Sequence, residues 1–355
     1  MVAVQVILDG ASEPGAPTSL ERARTPVLDA LCAAGSLSRV RTVAPWLPAG
    51  SESAIPALLG WVPVAPVDRG AVEAAAHGVA VGVGERAWRV DVFDREGGGR
   101  AGAAATARAA AELRAALGRQ RVHRLAGHRL LVIGPDERRF PSSWQTEDVA
   151  HLNWWPEGVV PPRVLDRSTT VVAARGAAAG LARLMGARVV VPADATGDAR
   201  TDLRAKAAAA VAAIRVGAAR VVVHVGAPDE AAHERDAAAK VAAIERIDRE
   251  LLAPLAATTR RAGGTLRVTP DHGCDPATGA HDDAPVPCLD WPATGRLHAG
   301  GRGAPAGAGA SAAGAVSAAA CGRAGAPPCA RLTERAVAAL PVTDLTSGAA
   351  AAEAA

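Results

Sequence analysis

The stretch RVVVHVGAPDEAAHERDAAAKVAAIERIDRELLAPL, residues 220–255, reads as a strand, a polar turn and a long helix. Arg220–Val225 is a continuous apolar run of the kind carried by central strands that are buried on both faces. Ala237–Leu255 repeats its apolar residues with the helical period, so that Ile244, Ile247, Leu251 and Leu255 fall on one stripe. The alternation recurs along the chain. Val2–Leu8, Ala187–Val191 and Thr265–Thr269 read as strands. Thr25–Ala34, opened by Thr-Pro and closed by Gly35, reads as a helix, as do Thr201–Val216, with Thr201 as N-cap, and Arg331–Leu340. Strands alternating with helices predict an α/β fold with a mainly parallel central sheet flanked by helices.

The 355 residues are enough to bury a large core. A net charge of +3 offers no strong attraction to nucleic acid or to an anionic membrane surface. Five cysteines, odd in number and with no C-x-x-C pair, argue against a disulfide framework or a zinc ribbon. The opening MVAVQVILDG has no basic segment before its apolar run and reads as a first strand, not a signal peptide; no run has the length and character of a membrane span. The cytoplasm is the expected location. Residues 61–170, punctuated by Pro and Gly and rich in Arg, read as a smaller α+β cap inserted into a discontinuous core of residues 1–60 and 171–355. Residues 299–328, of Ala, Gly and Pro, read as a flexible loop within that core.

Polar residues at the ends of the strand-like runs carry the chemistry. Asp9 ends VILDG, Asp271 and His272 follow TLRVT, and Asp229 and His233 stand four apart just after RVVVHV. His281 lies in TGAHDD, and Ser51 opens a helix on the Gly-rich turn PAGSESA. Each has a plain reading alone: a turn, a helix cap, a solvated histidine. Together, three carboxylates and three imidazoles suit a pair of divalent cations, at the sheet edge where α/β ligand sites collect. A serine at a helix N-terminus is placed to become a nucleophile and to carry the phosphate that lands on it. Ser53 is the rival nucleophile but lies further into the helix. The combination points to phosphoryl transfer through a covalent phosphoserine.

Motif order then makes a resemblance specific. VILDG, TPVLDALCAAG, GSESAIPALLGW, Asp68-Arg69-Gly70 with Glu73, Ala87-Trp88-Arg89-Val90, GLARLMGARVVVPADATGD, HVGAPDEAAHERDAAAKVAAIERID and PDHGCDPATGAHDDAPVPCL occur in this sequence in that order. In these segments the chain resembles the archaeal-type cofactor-independent phosphoglycerate mutases of the alkaline phosphatase superfamily. The resemblance implies an alkaline-phosphatase-like core. It also implies interconversion of 3- and 2-phosphoglycerate through phosphorylated Ser51, without 2,3-bisphosphoglycerate. It assigns Asp9, Ser51, Asp271 and His272 to one metal, and Asp229, His233 and His281 to the other. Mn²⁺ is the expected ion, and the donors also accept Zn²⁺, Mg²⁺ or Co²⁺. Arg69, Arg89, His128, Arg129 and Arg175 are the candidates for holding a small phosphorylated carboxylic acid. Ile55 stands where the family has a histidine, and Ala179 where it has a lysine. The alternatives are a phosphatase or phosphotransferase acting on another phosphorylated or phosphonylated acid and, in a different class, a non-catalytic metal-binding relative.

Overall fold

The structure, a computed structural model, describes residues 1–94, 99–118, 120–125, 127–137, 140, 143–145, 151–292 and 331–347. The sequence reading of a loop at 299–328 lies outside the described residues. Among the described residues the main sheet has eight strands in the order β15 (Val342–Asp344), β2 (Ser36–Arg41), β14 (Val286–Trp291), β11 (Thr265–Pro270), β1 (Ala3–Leu8), β10 (Arg220–Val225), β8 (Thr169–Val172) and β9 (Arg188–Val190). Only β14 runs against the others, pairing antiparallel with β11 and β2. The α/β class with a mainly parallel sheet flanked by helices is therefore observed. In β1, Val4, Val6 and Leu8 face one apolar core and Ile7 the other; in β10, Val221, Val223 and Val225 face the first and Val222 the second. Double-sided burial is why these strands read as continuous apolar runs.

The helices fall on the two faces accordingly. α2 (Pro26–Ala33), α7 (Leu203–Arg215), α9 (Ala237–Ile247) and α10 (Ala253–Arg261) supply the first core, and α3 (Ser51–Leu59), α4 (Arg69–His77) and α6 (Ala177–Leu184) the second. Short helices α1 (Ser19–Arg22), α8 (Ala227–His233) and α11 (Glu334–Val337) complete the main body. A second sheet is wholly antiparallel, in the order β4 (Arg121–Arg124), β5 (Arg129–Pro135), β3 (Glu85–Val92), β7 (His151–Trp154), β6 (Ser143–Gln145). Helix α5 (Ala103–Leu117) covers one of its faces through Ala109, Ala110 and Leu113. Helix α4 lies against its other face and also against α6. Both approaches need glycine: a Cβ on Gly70 would collide with the Ala87 carbonyl, and one on Gly180 with the Val72 carbonyl. Among the described residues no helix is long and apolar enough to cross a membrane.

Several elements differ from their sequence reading, each for a physical reason. Asp202, not Thr201, caps α7, its carboxylate accepting the Ala205 N–H at 2.8 Å. The helix beginning at Ala237 continues beyond Leu255 to Arg261 through a π turn at Asp248–Leu252. Pro254 follows that turn; it has no N–H to extend an α-helical ladder, and the register slips so that the Ala253 N–H reaches the Asp248 carbonyl. The segment 331–340 holds only the single turn α11, after which the chain adds edge strand β15. β2, SLSRVR, has no apolar run to announce it and is a strand because β14 and β15 pair with it.

Helix α2 has no side-chain cap of its own, since Thr25 makes no capping bond. The cap comes from Asp248 in the π turn, whose two carboxylate oxygens accept the Leu28 and Val27 N–H groups at 2.7 and 3.1 Å. Asp248→Ala should therefore cost about 2 kcal/mol in urea unfolding, as a lost N-cap does. A cost below about 0.5 kcal/mol would show that water replaces the carboxylate there.

Candidate metal centre

The C-terminal edge of the parallel strands gathers the polar residues. Asp9 leaves β1, Asp271 and His272 leave β11, and α8 starts two residues after β10 and carries Asp229 and His233 one turn apart. His281 sits on β13 (His281–Asp282), paired antiparallel with β12 (Gly273–Cys274). Ser51 is the first residue of α3, entered through Gly50 at φ 150°. The turn at Gly10, φ 56°, has to be glycine twice over: a Cβ there would also collide with Asp229 Oδ1.

The side chains form two adjoining groups. Asp9, Asp271 and His272 make one; Asp229, His233, His281 and Cys274 make the other. The Ser51 hydroxyl donates to Asp9 Oδ1 at 2.9 Å and lies 3.3 Å from His272 Nε2. The turn before it joins the second group, because His281 Nδ1 lies 3.2 Å from the Ala49 carbonyl. His233 Nε2 and His281 Nε2 are 3.0 Å apart, and lie 3.2 and 3.3 Å from the two oxygens of Asp229. All seven residues read from the sequence as one cluster are thus brought together.

The donors fit divalent cations on two counts. First, His233, His272 and His281 each place Nδ1 at 3.0–3.2 Å from a backbone carbonyl, of Gly279, Gly273 and Ala49 respectively. A ring that donates from Nδ1 presents a lone pair at Nε2, and all three Nε2 atoms point into the cluster. Two such lone pairs 3.0 Å apart repel unless positive charge sits between them. Second, Asp271 Oδ2 is buried without a hydrogen-bond partner. Buried carboxylate oxygens require a countercharge.

Protons answer to the same electrostatics. Burial, then the neighbouring charge of Asp9, pushes the Asp271 carboxyl up to about 7. Burial would also raise Asp229, but the hydrogen bonds from His233 and His281 carry it down to about 2. Burial opposes charge on His272, yet Asp271 and Asp9 drive its imidazole well above the usual range. The hydrogen bond to Asp229 raises His233. A carboxylate-rich pocket that makes histidines hold protons is one that favours cations.

Around the cluster the structure places four residues that sequence reasoning missed. His224, in β10, has Nε2 3.2 Å from Asp9 Oδ2. Lys206 is fully buried with Nζ 3.1 Å from the His224 carbonyl, and burial, partly offset by Asp9, pushes it down to about 8. Lys240, also fully buried, donates to Glu13 Oε2 at 2.6 Å and to the Cys274 carbonyl at 2.6 Å. The fourth is Cys274 itself. The one signal in the sequence was scarcity: these are the only two lysines in an arginine-rich chain. Their compact ammonium groups suit narrow clusters of carbonyls that a planar guanidinium does not.

The anion-binding candidates are less uniform. Arg69 pairs with Glu52 Oε1 at 2.5 Å, and its guanidinium lies 3.9 Å above the Trp155 ring. Arg89 is buried between Glu73 Oε1, at 3.2 Å, and both oxygens of Asp91, at 3.0 and 3.2 Å. Arg129 has a buried Nε without a hydrogen-bond partner and contributes positive charge at Glu230, beside Asp229. His128 lies 3.9 Å from Asp91 Oδ1. Arg175 is exposed in the turn between β8 and α6, without a hydrogen bond or ion pair to the seven.

The chain is similar to known proteins in sequence and in fold. Residues 1–296 match the family model of the metalloenzyme superfamily. The 2,3-bisphosphoglycerate-independent phosphoglycerate mutase of Methanosarcina barkeri is 26% identical over 337 residues, covering 77% of this chain and 84% of that protein. A probable enzyme of the same name from Geobacter sulfurreducens is 26% identical, covering 78% of this chain and 85% of its own. The structure of a Pyrococcus horikoshii protein superposes with a TM-score of 0.71 at 21% identity, over 99% of this chain and 96% of that one. The cofactor-independent phosphoglycerate mutase of Thermoplasma acidophilum does so with a TM-score of 0.53 at 19% identity, over 84% and 91%. These two likenesses show a shared fold.

His128 gives a pH test. Burial, and then the charges of Arg100, Arg129 and Arg89, push it down to about 4 against the opposing pull of Asp91. An unfolded histidine takes up its proton near pH 6.5, so between about pH 6.5 and about pH 4 the unfolded chain binds more protons than the folded one. Stability should therefore fall as the pH is lowered through that window. His128→Gln should flatten the slope in denaturant titrations; an unchanged slope would contradict a depressed His128.

Proposed function

The chain belongs to the metalloenzyme superfamily, and from that premise we propose that it is a metal-dependent phosphoglycerate mutase, interconverting 3- and 2-phosphoglycerate through a phosphoserine on Ser51. The observation that carries this reading is the place of the Ser51 hydroxyl. It heads α3, bonds Asp9 of the first group at 2.9 Å, and follows the turn that holds His281 of the second.

Bound divalent cations, Mn²⁺ at the oxygen-rich group, would favour the serine alkoxide and offset the charge of an incoming phosphate. Asp9, Asp271 and His272 would hold one ion with Ser51; Asp229, His233 and His281 would hold the other. The chain's own part is to aim the hydroxyl. Asp9 accepts its hydrogen bond, and the N-terminus of α3 favours negative charge on the oxygen and on the phosphate that joins it. Ser51 takes the phosphoryl group from the 3-position, the glycerate turns within the cleft, and its 2-hydroxyl takes the group back. Arg129, with its free buried Nε, and Arg69, stacked on Trp155, are the proposed grips on carboxylate and phosphate. Arg89 is committed to Glu73 and Asp91, so its proposed part is to hold that surface in shape. His128, neutral at pH 7, is a proposed hydrogen-bonding partner beside it, and Arg175 a peripheral one. Residues 61–170, which contain the second sheet, are the proposed substrate-holding cap.

One observation favours a second reading. Ile55 and Ala179, which replace the family's histidine and lysine, are both buried in the apolar core that α3 and α6 share. Two polar substrate-handling side chains have given way to packing. A phosphatase acting on another small phosphorylated or phosphonylated acid would keep Ser51 and both ligand groups while losing the return step to glycerate.

An enolase-coupled assay with added Mn²⁺, with free phosphate followed in parallel, separates the two. The mutase reading expects 3-phosphoglycerate to yield 2-phosphoglycerate without phosphate release, and Ser51→Ala to reduce turnover by at least about 10⁴-fold, as removal of a covalent nucleophile does. Ser53→Ala should act weakly, since its hydroxyl donates to the Pro48 carbonyl at 2.7 Å. Phosphate release that depends on Ser51 moves the function to phosphatase. Near-normal turnover in Ser51→Ala rejects both.

A further inference from the structure

The two ligand groups are chemically unequal. Asp9, Asp271 and His272, with Ser51, offer mainly oxygen. The other group adds sulfur to one carboxylate and two imidazoles, because Cys274 Sγ, Asp229, His233 and His281 present ligand atoms that all lie within 4.8 Å of one another. The placement of Cys274 follows from the backbone. Cys274 stands directly opposite His281 in the β12–β13 pair. Cross-strand partners put their side chains on one face about 5 Å apart. Its N–H donates to the Ser12 carbonyl at 2.8 Å, and its carbonyl accepts from the Lys240 ammonium at 2.6 Å. That ammonium is in turn fully buried and paired with Glu13. Both ends of the residue are anchored, and the thiol is free and inaccessible to solvent. The 3.0 Å between His233 Nε2 and His281 Nε2 approaches the edge of a tetrahedron whose bonds are about 2.0–2.3 Å long, and the two imidazoles lie 3.2 and 3.3 Å from different oxygens of Asp229.

We infer that Cys274 is a fourth protein ligand of the Asp229–His233–His281 group, which makes this group a site for a thiophilic divalent cation such as Zn²⁺, distinct in preference from its oxygen-rich neighbour. The inference rests on the proposed metal binding at that group. One thiolate, two imidazoles and one carboxylate form a four-donor set suited to Zn²⁺ and Co²⁺, whereas Mg²⁺ and Mn²⁺ prefer oxygen. Ligation replaces the S–H bond by a sulfur–metal bond and releases the proton to solvent. The buried Lys240–Glu13 pair thereby acquires a role: it holds the backbone from which the sulfur is presented.

Cobalt reports on the sulfur directly. Full-length protein stripped of metal and reloaded with Co²⁺ alone should show a thiolate-to-cobalt charge-transfer band in the near ultraviolet. Cys274→Ser should lose the band while still binding Co²⁺, and its preference for Zn²⁺ over Mn²⁺ should fall at least about tenfold. Cys288→Ser, which removes a buried cysteine outside the group, should leave both unchanged. In mass-spectrometric footprinting with a small alkylating reagent, wild-type Cys274 should be protected by Zn²⁺. Cobalt bound without the band, or bound with a band that survives in Cys274→Ser, overturns the inference and leaves the proposed function standing. No cobalt bound at all overturns both.

Discussion

Three carboxylates, Asp9, Asp229 and Asp271, are buried together at the edge of the main sheet, and their mutual repulsion is the constraint around which the rest is arranged. The Gly10 and His272 N–H groups share Asp271 Oδ1, while Oδ2 is left without a partner. Each histidine of the cluster is tied by Nδ1 to a backbone carbonyl, so that Nε2 faces inward. The backbone has been shaped to expose acceptors to one another. Such an arrangement is costly as bare protein and sensible around cations. The same sheet edge that concentrates the charge also supplies the rigidity, because Asp9 and Asp271 leave the paired central strands β1 and β11.

The second sheet is connected to this cluster through the residue after the serine. Glu52 pairs with Arg69, Arg69 stacks on Trp155, and the Trp155 N–H donates to Asp91 Oδ2 at 2.7 Å, beside Arg89. Helix α4 carries Arg69 and is held on both sides by glycine-permitted contacts. The second sheet and the turn that presents Ser51 are therefore joined by a specific polar chain. A shift of the second sheet would be felt at the turn that presents Ser51.

Much of this was legible in the sequence, and the boundary of legibility is physical. Strands buried on both faces announce themselves as apolar runs, and Asp9, Asp229 and Asp271 follow such runs directly, so that their convergence could be read from topology alone. Asp229 and His233 needed only the helical period. The polar strand β2 could not be read, because its identity lies in its partners and not in its own residues. The Asp248 cap of α2 and the Lys240–Glu13 pair join residues more than 200 positions apart, for which no local pattern exists. Cys274 has no second cysteine at ligand spacing to mark it in the sequence. Its position opposite His281 depends on a two-residue β-pair.

The central claim is that the two groups hold two cations beside Ser51, and anomalous diffraction from crystals soaked in Mn²⁺ and Zn²⁺ together tests it most directly. The account predicts two anomalous peaks about 4 Å apart. One should be bound by Asp9, Asp271 and His272 and the other by Asp229, His233 and His281, with the Ser51 hydroxyl at the first. Crystals of intact protein that show no peak at these residues, or peaks that leave Ser51 out of reach, would contradict it.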